Sequence, residues 1–383
     1  MAVSPPARRW SHWRHVDVVL ALVTVAIAAV GCLMLYTSTR AQLEANGLPP
    51  TFYAKKQLIF MAIGVVVMLV VAAIDYRKYR DRAWFVFGLT VLALLAVYVI
   101  GHKSRGAQAW FQIGSYQIEP SEYAKPALIL AMASFVGTFK GRMPLRALMA
   151  ALGLAAVPLL LIYKQPDLGT ALVLAVVLIA VLSVGGVRAR HLGVLVVLAA
   201  MGTFGILHFG VLKQYQKDRL TSFLSAPNKP NAQFLASAQG STYYNDEMSR
   251  LAVSDGGLKG KGLGKGLVTN LGDVPEQQTD FIFSAIAEQV GLVGSVVLLG
   301  LFLILVWRTW RAASTARDLT GTLICVGVLA MIAFQVFENV GMAMGIMPVA
   351  GIPLPFISYG GSALVGAFAA VGLVLNVHMH RFS

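Results

Sequence analysis

The sequence predicts an all-α polytopic membrane protein with ten transmembrane helices. Of its 383 residues, 57% are hydrophobic and only 13% are charged, and the mean hydropathy is +0.71. A soluble globular protein has about a quarter charged residues, so lipid is the expected environment of most of this chain. The apolar residues fall in ten runs, each near the ~20 residues that a helix needs to cross a bilayer.

Short polar or basic segments separate the ten hydrophobic runs. The runs cover residues 16–37, 55–74, 83–101, 120–138, 145–163, 167–185, 191–210, 280–307, 319–346 and 354–377. The first run is too long for the apolar core of a cleaved signal peptide, and further runs follow it. We therefore expect a single membrane domain over residues 16–378, between tails at 1–15 and 379–383.

Lysine and arginine residues are unevenly divided between the two sets of loops. Most of them lie in the tails and in the loops after the second, fourth, sixth and eighth runs. By the positive-inside rule, both termini are predicted to be cytoplasmic and the long loop at about 211–279 to be extracytoplasmic. The net charge of +14 then reflects basic residues that set the topology and contact anionic membrane lipid, and it does not indicate a nucleic-acid site.

Polar residues are concentrated where the even-numbered runs begin, which this topology places at the outer face. These starts read KKQ at 55–57, IEPSEYAKP at 118–126, KQPDLGT at 164–170, PEQQTDF at 275–281 and IPLPFISYGGS at 352–362. Any one of them suits an ordinary helix start, where prolines and carboxylates are favoured. Because ionisable groups at membrane depth are costly and usually functional, the five together predict one outward-facing site.

The residue types in these motifs suit the binding of a pyrophosphate. Helix N-termini offer free N–H groups to phosphate, and Lys125 lies one turn into the fourth run. The carboxylates can act as a general base or hold a divalent cation such as Mg²⁺ or Mn²⁺ beside phosphate oxygens. The predicted carboxylates are Glu119, Glu122, Asp167, Glu276 and Asp280, and the same motifs add Gln165 and Ser358.

Two further segments have less specific patterns. Trp110, in RGAQAWFQIG at 105–114, offers a flat apolar face for a sugar ring, although a tryptophan at the membrane interface explains it as well. The segment GGLKGKGLGKG at 256–266 contains neither glycine-rich phosphate-binding pattern, and the topology places it outside, away from ATP. We expect it to be a flexible basic segment in contact with lipid headgroups.

The motifs together resemble the SEDS family (shape, elongation, division and sporulation). The matching strings are GAQAW, EPSEYAK, QPDLGTALV, DGGLKGKGLGKG, PEQQTDFIFSAIAEQVGLVGS and GIMPVAGIPLPFISYGGSAL, within residues 16–378. The resemblance implies a multi-pass protein of the bacterial cytoplasmic membrane that polymerises lipid II into glycan strands at its outer face. It also implies a class B penicillin-binding protein as partner. The sequences of the motifs PEQQTDFIF and SYGGSAL resemble the family member that acts in cell elongation more than the member that acts in cell division.

The resemblance also implies roles for individual residues. The aspartate of PE-x-x-TDF is the essential catalytic carboxylate of the family and corresponds to Asp280, which we expect to act as the general base. The tryptophan of GAQRW matches Trp110, and the lysine of PSE-x-AK matches Lys125. One departure is Ala109, where the family usually has an arginine whose role Arg105 could supply.

A second departure is Glu338 in FENVGM, where apolar residues are more usual. The main competing function is a lipid II flippase, since ten spans with polar breaks also suit a transporter. Transporter sites usually lie near the bilayer midplane, whereas these motifs lie at the outer boundary, which favours chemistry at the membrane surface. A scaffold that only recruits the penicillin-binding protein is the third alternative.

Overall fold

The computed structural model describes residues 15–104, 107–114, 116–139, 141–208, 242–272, 274 and 276–382. Three predicted features lie outside these residues: most of the N-terminal tail, the first part of the long loop at 209–241, and the proposed substitute Arg105.

The described chain is mostly helical. Its helices are α1 (Val18–Ala45), α2 (Phe52–Ala73), α3 (Tyr76–Asp81), α4 (Ala83–Ile100), α5 (Pro120–Val136), α6 (Leu145–Lys164), α7 (Leu168–Val184), α8 (Ala189–His208), α9 (Thr242–Gly256), α10 (Leu267–Leu271), α11 (Ile282–Ser314), α12 (Leu319–Ala343) and α13 (Gly361–Met379). Three short strands follow α4: β1 (His102–Ser104), β2 (Ala107–Ile113) and β3 (Tyr116–Ile118).

A helix lies at each of the ten predicted runs. Among the described residues, seven helices are long and apolar enough to cross a membrane, namely α1, α2, α4, α6, α11, α12 and α13. Helix α7 and the first half of α8 are shorter apolar helices, and α5 contains Glu122 and Lys125 within its 17 residues. The protein is therefore a multi-pass helical membrane protein, and the number of crossings stays a prediction.

The prediction of an all-α protein was wrong for the segment between α4 and α5. This segment forms an antiparallel sheet in the order β1-β2-β3, with Phe111 opposite Ile118. Its residues are rich in aromatic and β-branched types that suit strands. The Gln108 side chain joins the sheet to α4 by donating to the carbonyl of Gly101 at 2.9 Å.

The described part of the predicted long loop contains two helices, α9 and α10. Ser249 of α9 is hydrogen-bonded to Ser284 of α11 at 2.5 Å and donates to the carbonyl of Ala343 at 2.9 Å. A small apolar cluster supports this packing and consists of Met248, Ala252, Val274, Phe281, Met342 and Val349. The cluster fixes the segment that contains Asp280 to the ends of α11 and α12.

Small residues allow α2 and α13 to pack closely. A Cβ atom at Gly64 would lie 2.3 Å from the ring of Phe368, and one at Gly372 would lie 2.8 Å from the carbonyl oxygen of Met68. Close approach at glycine is the usual basis of helix association in membranes, where apolar burial against lipid contributes little. This pair brings the start of α13 beside the start of α2, at the end of the bundle that contains the polar motifs.

Candidate functional site

A carboxylate cluster lies where α5 begins. Glu119 accepts hydrogen bonds from the indole Nε1 of Trp110 at 3.0 Å and from the hydroxyl of Ser121 at 2.9 Å. Its backbone N–H donates to the hydroxyl of Ser362 at 3.0 Å. These contacts join β2, α5 and the start of α13, so motifs far apart in sequence meet at Glu119.

Asp167 belongs to the same cluster because α7 begins close to α5. Its Oδ1 accepts from the N–H of Thr170 at 2.9 Å and caps α7, while its Oδ2 is buried without a hydrogen-bond partner. Desolvation of the Glu119 carboxyl, together with the charges of Asp167 and Glu122, raises the pKa of Glu119 to about 8. The pKa of Glu119 thus lies well above the usual value for a carboxyl group.

Lys125 is buried in an ion pair one turn further into α5. Its Nζ lies 2.7 Å from Oε1 of Glu122, and the two side chains are 2% and 8% exposed. Both residues line a narrow cavity with Gln335 of α12 and with the loop that contains Ser358. The lysine charge is therefore already compensated, and a phosphate that binds here must share Lys125 with Glu122.

Asp280 lies in a tight turn immediately before α11. The carbonyl of Glu276 accepts hydrogen bonds from the N–H groups of Thr279 at 3.0 Å and Asp280 at 3.1 Å. The turn requires a φ of +54° at Glu276, and the facing loop has a φ of +67° at Phe356. Positive φ values at residues with a side chain cost about 1–3 kcal/mol and tend to occur at functional sites.

Two buried side chains hold the backbone of this turn. Ser358 donates to the carbonyl of Thr279 at 2.6 Å and accepts from the N–H of Leu354 at 2.9 Å. Asn339 of α12 donates to the carbonyls of Asp280 and Ile352, both at 2.8 Å. The half-buried Asp280 side chain therefore starts from a fixed backbone.

Glutamine side chains attach the turn to α1 and the loop containing Ser358 to α2. Gln277 donates to the carbonyl of Ser38 at 2.9 Å and to the side-chain oxygen of Gln42 at 3.0 Å. Gln57, at the start of α2, donates to the carbonyl of Ser358 at 3.1 Å. The Gln277 side chain thus serves to position the turn, and Glu276 and Asp280 are its ionisable groups.

The glycine-rich segment at 256–266 closes a break in α11, contrary to the expectation that it is flexible. Helix α11 is interrupted at Gly291, where φ is +66° and ψ is −167°. Lys261 N–H donates to the carbonyl of Glu288, and Leu292 N–H donates to the carbonyl of Gly257, both at 2.9 Å. The segment thereby supplies partners for backbone groups that the broken helix leaves unpaired, which a membrane protein requires.

Glu288 is a second link between this segment and α11. The residue is fully buried and accepts hydrogen bonds from the N–H groups of Val268 at 2.8 Å and Thr269 at 2.9 Å, and from the Thr269 hydroxyl. Backbone N–H groups stabilise a buried carboxylate without a basic side chain. Glu288 lies two turns from Asp280 and helps to set the direction in which α11 leaves the turn.

The predicted site residues fall into two groups. One consists of Trp110, Glu119, Glu122, Lys125 and Asp167, and the other of Glu276, Asp280 and Ser358. The loop containing Ser358 links them because it lines the cavity beside the ion pair and also contacts the turn.

The side-chain hydrogen bond of Gln165 joins it to neither group. Its side chain donates to the carbonyl of Leu94 at 3.2 Å. Its backbone N–H donates to carbonyls of the last turn of α6, so Gln165 is the C-cap of that helix. The Ser358 hydroxyl is likewise occupied by backbone partners. The binding roles predicted for both residues stay predictions.

Sequence reasoning missed Asn339 and Glu288 as supports of the site. Both are polar residues inside strongly apolar helices, a signal that usually marks function in membrane segments. The neighbouring Glu338 is 2% exposed, and Ala109, which replaces the usual arginine of the family, is also buried.

The described residues contain no group of three or more histidine, cysteine or acidic side chains that could hold a metal ion. A Mg²⁺ or Mn²⁺ bound beside a pyrophosphate needs only one or two protein carboxylates, because phosphate and water oxygens complete its coordination. The unpartnered Oδ2 of Asp167 is an oxygen that fits this role.

Residues 17–383 match the family model of the cell cycle proteins FtsW, RodA and SpoVE. The chain belongs to this family. It is 35% identical over 367 residues to the peptidoglycan glycosyltransferase MrdB of Escherichia coli strain K12, a match that covers 96% of this chain and 94% of that protein.

Solved structures of FtsW/RodA/SpoVE relatives have the same fold. A chain in a peptidoglycan synthase complex that coordinates polymerization and crosslinking aligns with a TM-score of 0.77 and 30% identity, covering 96% of this chain and 99% of that one. The rod shape determining protein RodA of Thermus thermophilus aligns with a TM-score of 0.70 and 30% identity, covering 97% and 99%. The resemblance to the SEDS family is confirmed.

Proposed function

We propose that this protein is a peptidoglycan glycosyltransferase that polymerises lipid II at the outer face of the bacterial cytoplasmic membrane. The observation that carries the proposal is the position of Asp280, a half-buried carboxylate on a backbone held by Asn339 and Ser358, in a chain of this family. The name of its relative MrdB supports the same activity.

In the proposed reaction, the 4-hydroxyl of an acceptor sugar attacks the anomeric carbon of a donor linked to undecaprenyl pyrophosphate. A carbon–oxygen bond forms between the sugars as the bond from that carbon to the pyrophosphate breaks. Asp280 takes the proton of this hydroxyl group, because a hydroxyl group is a weak nucleophile until a base removes its proton. The α-linked donor gives a β-linked product, so a single displacement without a second carboxylate nucleophile suffices.

The leaving pyrophosphate gains negative charge, and several groups near Glu119 suit its stabilisation. Lys125 supplies a positive charge shared with Glu122, and the N-termini of α5 and α7 supply backbone dipoles. Where a divalent cation takes part, Asp167 would hold it and the cation would neutralise phosphate charge. Trp110 would pack against a sugar ring, with its indole edge held by Glu119.

We further propose the full topology that the sequence predicts. Ten helices cross the membrane, both termini are cytoplasmic, and the segment at about 211–279 is extracytoplasmic. The single membrane domain at 16–378 then presents both groups of site residues at the outer surface. Leu292 and Val293, which follow the interruption of α11 at Gly291, are 55% and 61% exposed and begin a surface suited to lipid, which supports a position of the site at a membrane boundary.

The proposed protein partner is a class B penicillin-binding protein that cross-links the new strands. Its support is the match to a chain of a peptidoglycan synthase complex that coordinates polymerization and crosslinking. A role in cell elongation rather than division rests on the motifs PEQQTDFIF and SYGGSAL, because the identity to MrdB (35%) and to an FtsW protein of Geobacter metallireducens (34%) is nearly equal.

Purified protein in detergent with lipid II, alone and with its cognate penicillin-binding protein, tests the activity. We expect glycan chains that grow with time and are digested by a muramidase. A flippase or a scaffold forms none under these conditions, because detergent leaves no membrane to cross. The absence of glycan in the presence of the partner would refute the proposed polymerase.

A further inference from the structure

An arginine-lined groove lies at the end of the bundle opposite the candidate site. Helices α5 and α7 both begin at the carboxylate cluster and have 17 residues each. At 1.5 Å per residue they span ~25 Å, close to the thickness of the hydrocarbon core of a bilayer. The groove has a volume of about 530 Å³ and is lined by Arg142, Gly186, Val187, Arg188, Ala189 and Arg190.

The backbone fixes the two loops that form this groove. The N–H of Met143, after α5, donates to the carbonyl of Gly186, after α7, at 3.2 Å. Gly186 has a φ of +84°, and a Cβ atom there would lie 2.3 Å from the carbonyl oxygen of Gly141. Because only glycine permits this approach, Arg142 is held beside the arginines of the second loop.

The three guanidinium groups are available to a ligand. All three arginines are exposed, and their side chains form no hydrogen bond or ion pair with any described residue. Among the described residues that line the groove, none is acidic. Elsewhere at this end of the bundle Arg308 is bound to Asp17 at 2.6 Å. The groove therefore concentrates uncompensated positive charge.

Apolar residues beside the groove form a surface suited to acyl chains. Leu145 and Met149 of α6 are 57% and 60% exposed, and Val184 of α7 and Val194 of α8 are 45% and 55% exposed. A large aliphatic surface next to arginines at a membrane boundary fits a ligand with both phosphates and hydrocarbon chains.

We propose that this groove binds the headgroup of an anionic phospholipid, and that it prefers a headgroup with two phosphates, such as diphosphatidylglycerol. Planar guanidinium groups bind phosphate oxygens in pairs, so three neighbouring arginines can contact both phosphates of such a headgroup at once. Basic pockets between membrane helices are a known type of site for such headgroups.

Native mass spectrometry of the full chain, titrated with diphosphatidylglycerol, phosphatidylglycerol or phosphatidylethanolamine, tests this proposal. The groove variant combines Arg142→Gln, Arg188→Gln and Arg190→Gln. Its control removes the same charge at exposed positions of the same end through Lys78→Gln, Arg311→Gln and Arg317→Gln. We expect the groove variant to bind diphosphatidylglycerol roughly 10- to 100-fold more weakly than the wild type, and the control to change it about 2-fold or less.

Three results would overturn the proposal. Equal losses in the groove variant and the control would show a general charge effect, and unchanged binding in the groove variant would place the lipid elsewhere. Binding of inorganic pyrophosphate as tight as that of diphosphatidylglycerol, and lost in the groove variant, would identify a soluble anion as the ligand. A variant with Arg142→Lys, Arg188→Lys and Arg190→Lys keeps the charge and should lose most of the preference for two phosphates.

Discussion

The buried ion pair of Lys125 and Glu122 gives the lysine a structural and a chemical role that mutation can separate. Lys125→Ala leaves the buried Glu122 carboxylate without its partner, a change that typically costs about 3–5 kcal/mol. We expect a large fall in the unfolding temperature of the purified protein in detergent.

The double variant Lys125→Met, Glu122→Gln removes both charges and should recover most of this stability, because well-packed neutral residues replace a buried pair at little cost. Its polymerisation of lipid II should stay low, since the cation beside the leaving group is still missing. A stable and fully active double variant would limit Lys125 to a structural role.

Glu119 should make the stability of the protein depend on pH. Its pKa is raised from 4.5 to about 8, so the folded protein binds the proton more tightly than the unfolded chain. The stability contributed by this group is complete below pH 4.5 and is lost as the pH rises to about 8. Unfolding temperatures between pH 5 and 9 should therefore fall more steeply for the wild type than for Glu119→Gln.

The exposed carboxylate of Glu44 provides a control for the pH experiment. Glu44→Gln should leave the pH dependence of the unfolding temperature as it is in the wild type. Parallel curves for the wild type and Glu119→Gln would show that Glu119 is not protonated in the folded protein.

At the residue scale, the sequence predicts the residues of the site better than the residues that hold them in position. The motif around Trp110 and the IEPSEYAKP motif identify residues that the fold brings into contact at Glu119. Asn339 could not be assigned in this way, because its contact with Asp280 spans 59 positions and depends on how α12 packs against the turn.

At the element scale, the glycine-rich segment and the broken α11 form one unit. A Cβ atom at Gly291, where φ is +66°, would lie 2.3 Å from the backbone nitrogen of Gly260. We expect Gly291→Ala to destabilise the protein by about 2 kcal/mol or more, through the clash and the backbone conformation. Polymerisation should fall with it, because the short helical segment before the break directly follows the turn that contains Asp280.

Gly300→Ala is the matched control for this prediction. Gly300 lies in the same helix with no atom within 4 Å of an added Cβ, so alanine should be neutral or slightly stabilising there. Thermal unfolding of both variants in detergent measures the difference. Equal unfolding temperatures would contradict the proposed role of the segment as the partner of the helix break.

Local pattern explains why some elements were predicted and others were not. The apolar runs have the length of a membrane helix, and a helix lies at each of them. The sheet before α5 is only three short strands, and its assignment depends on backbone pairing that composition does not reveal. The break at Gly291 stands inside a continuous apolar run, and the hydrogen bonds that stabilise it come from a segment about thirty residues away.

For the whole molecule, the predicted orientation can be tested with single cysteines. In a protein without Cys32 and Cys325, cysteine at Ser254 in α9 or at Ser314 in α11 would stand at an exposed position. In intact spheroplasts, a membrane-impermeant thiol reagent should label the cysteine at 254 and spare the one at 314. Labelling at 314 alone would show that the topology is the reverse of the predicted one and that the site does not lie at the outer face.

The central claim concerns Asp280, and the polymerisation of lipid II by Asp280→Asn tests it most directly. Asparagine keeps the size of the side chain and the backbone contacts of the turn, but it cannot accept the proton of the attacking hydroxyl. The variant should fold and bind the penicillin-binding protein as the wild type does, with polymerisation about 10²–10⁴-fold slower. Near wild-type polymerisation by Asp280→Asn, with an inactive Glu276→Gln, would contradict the account and move the role of base to Glu276.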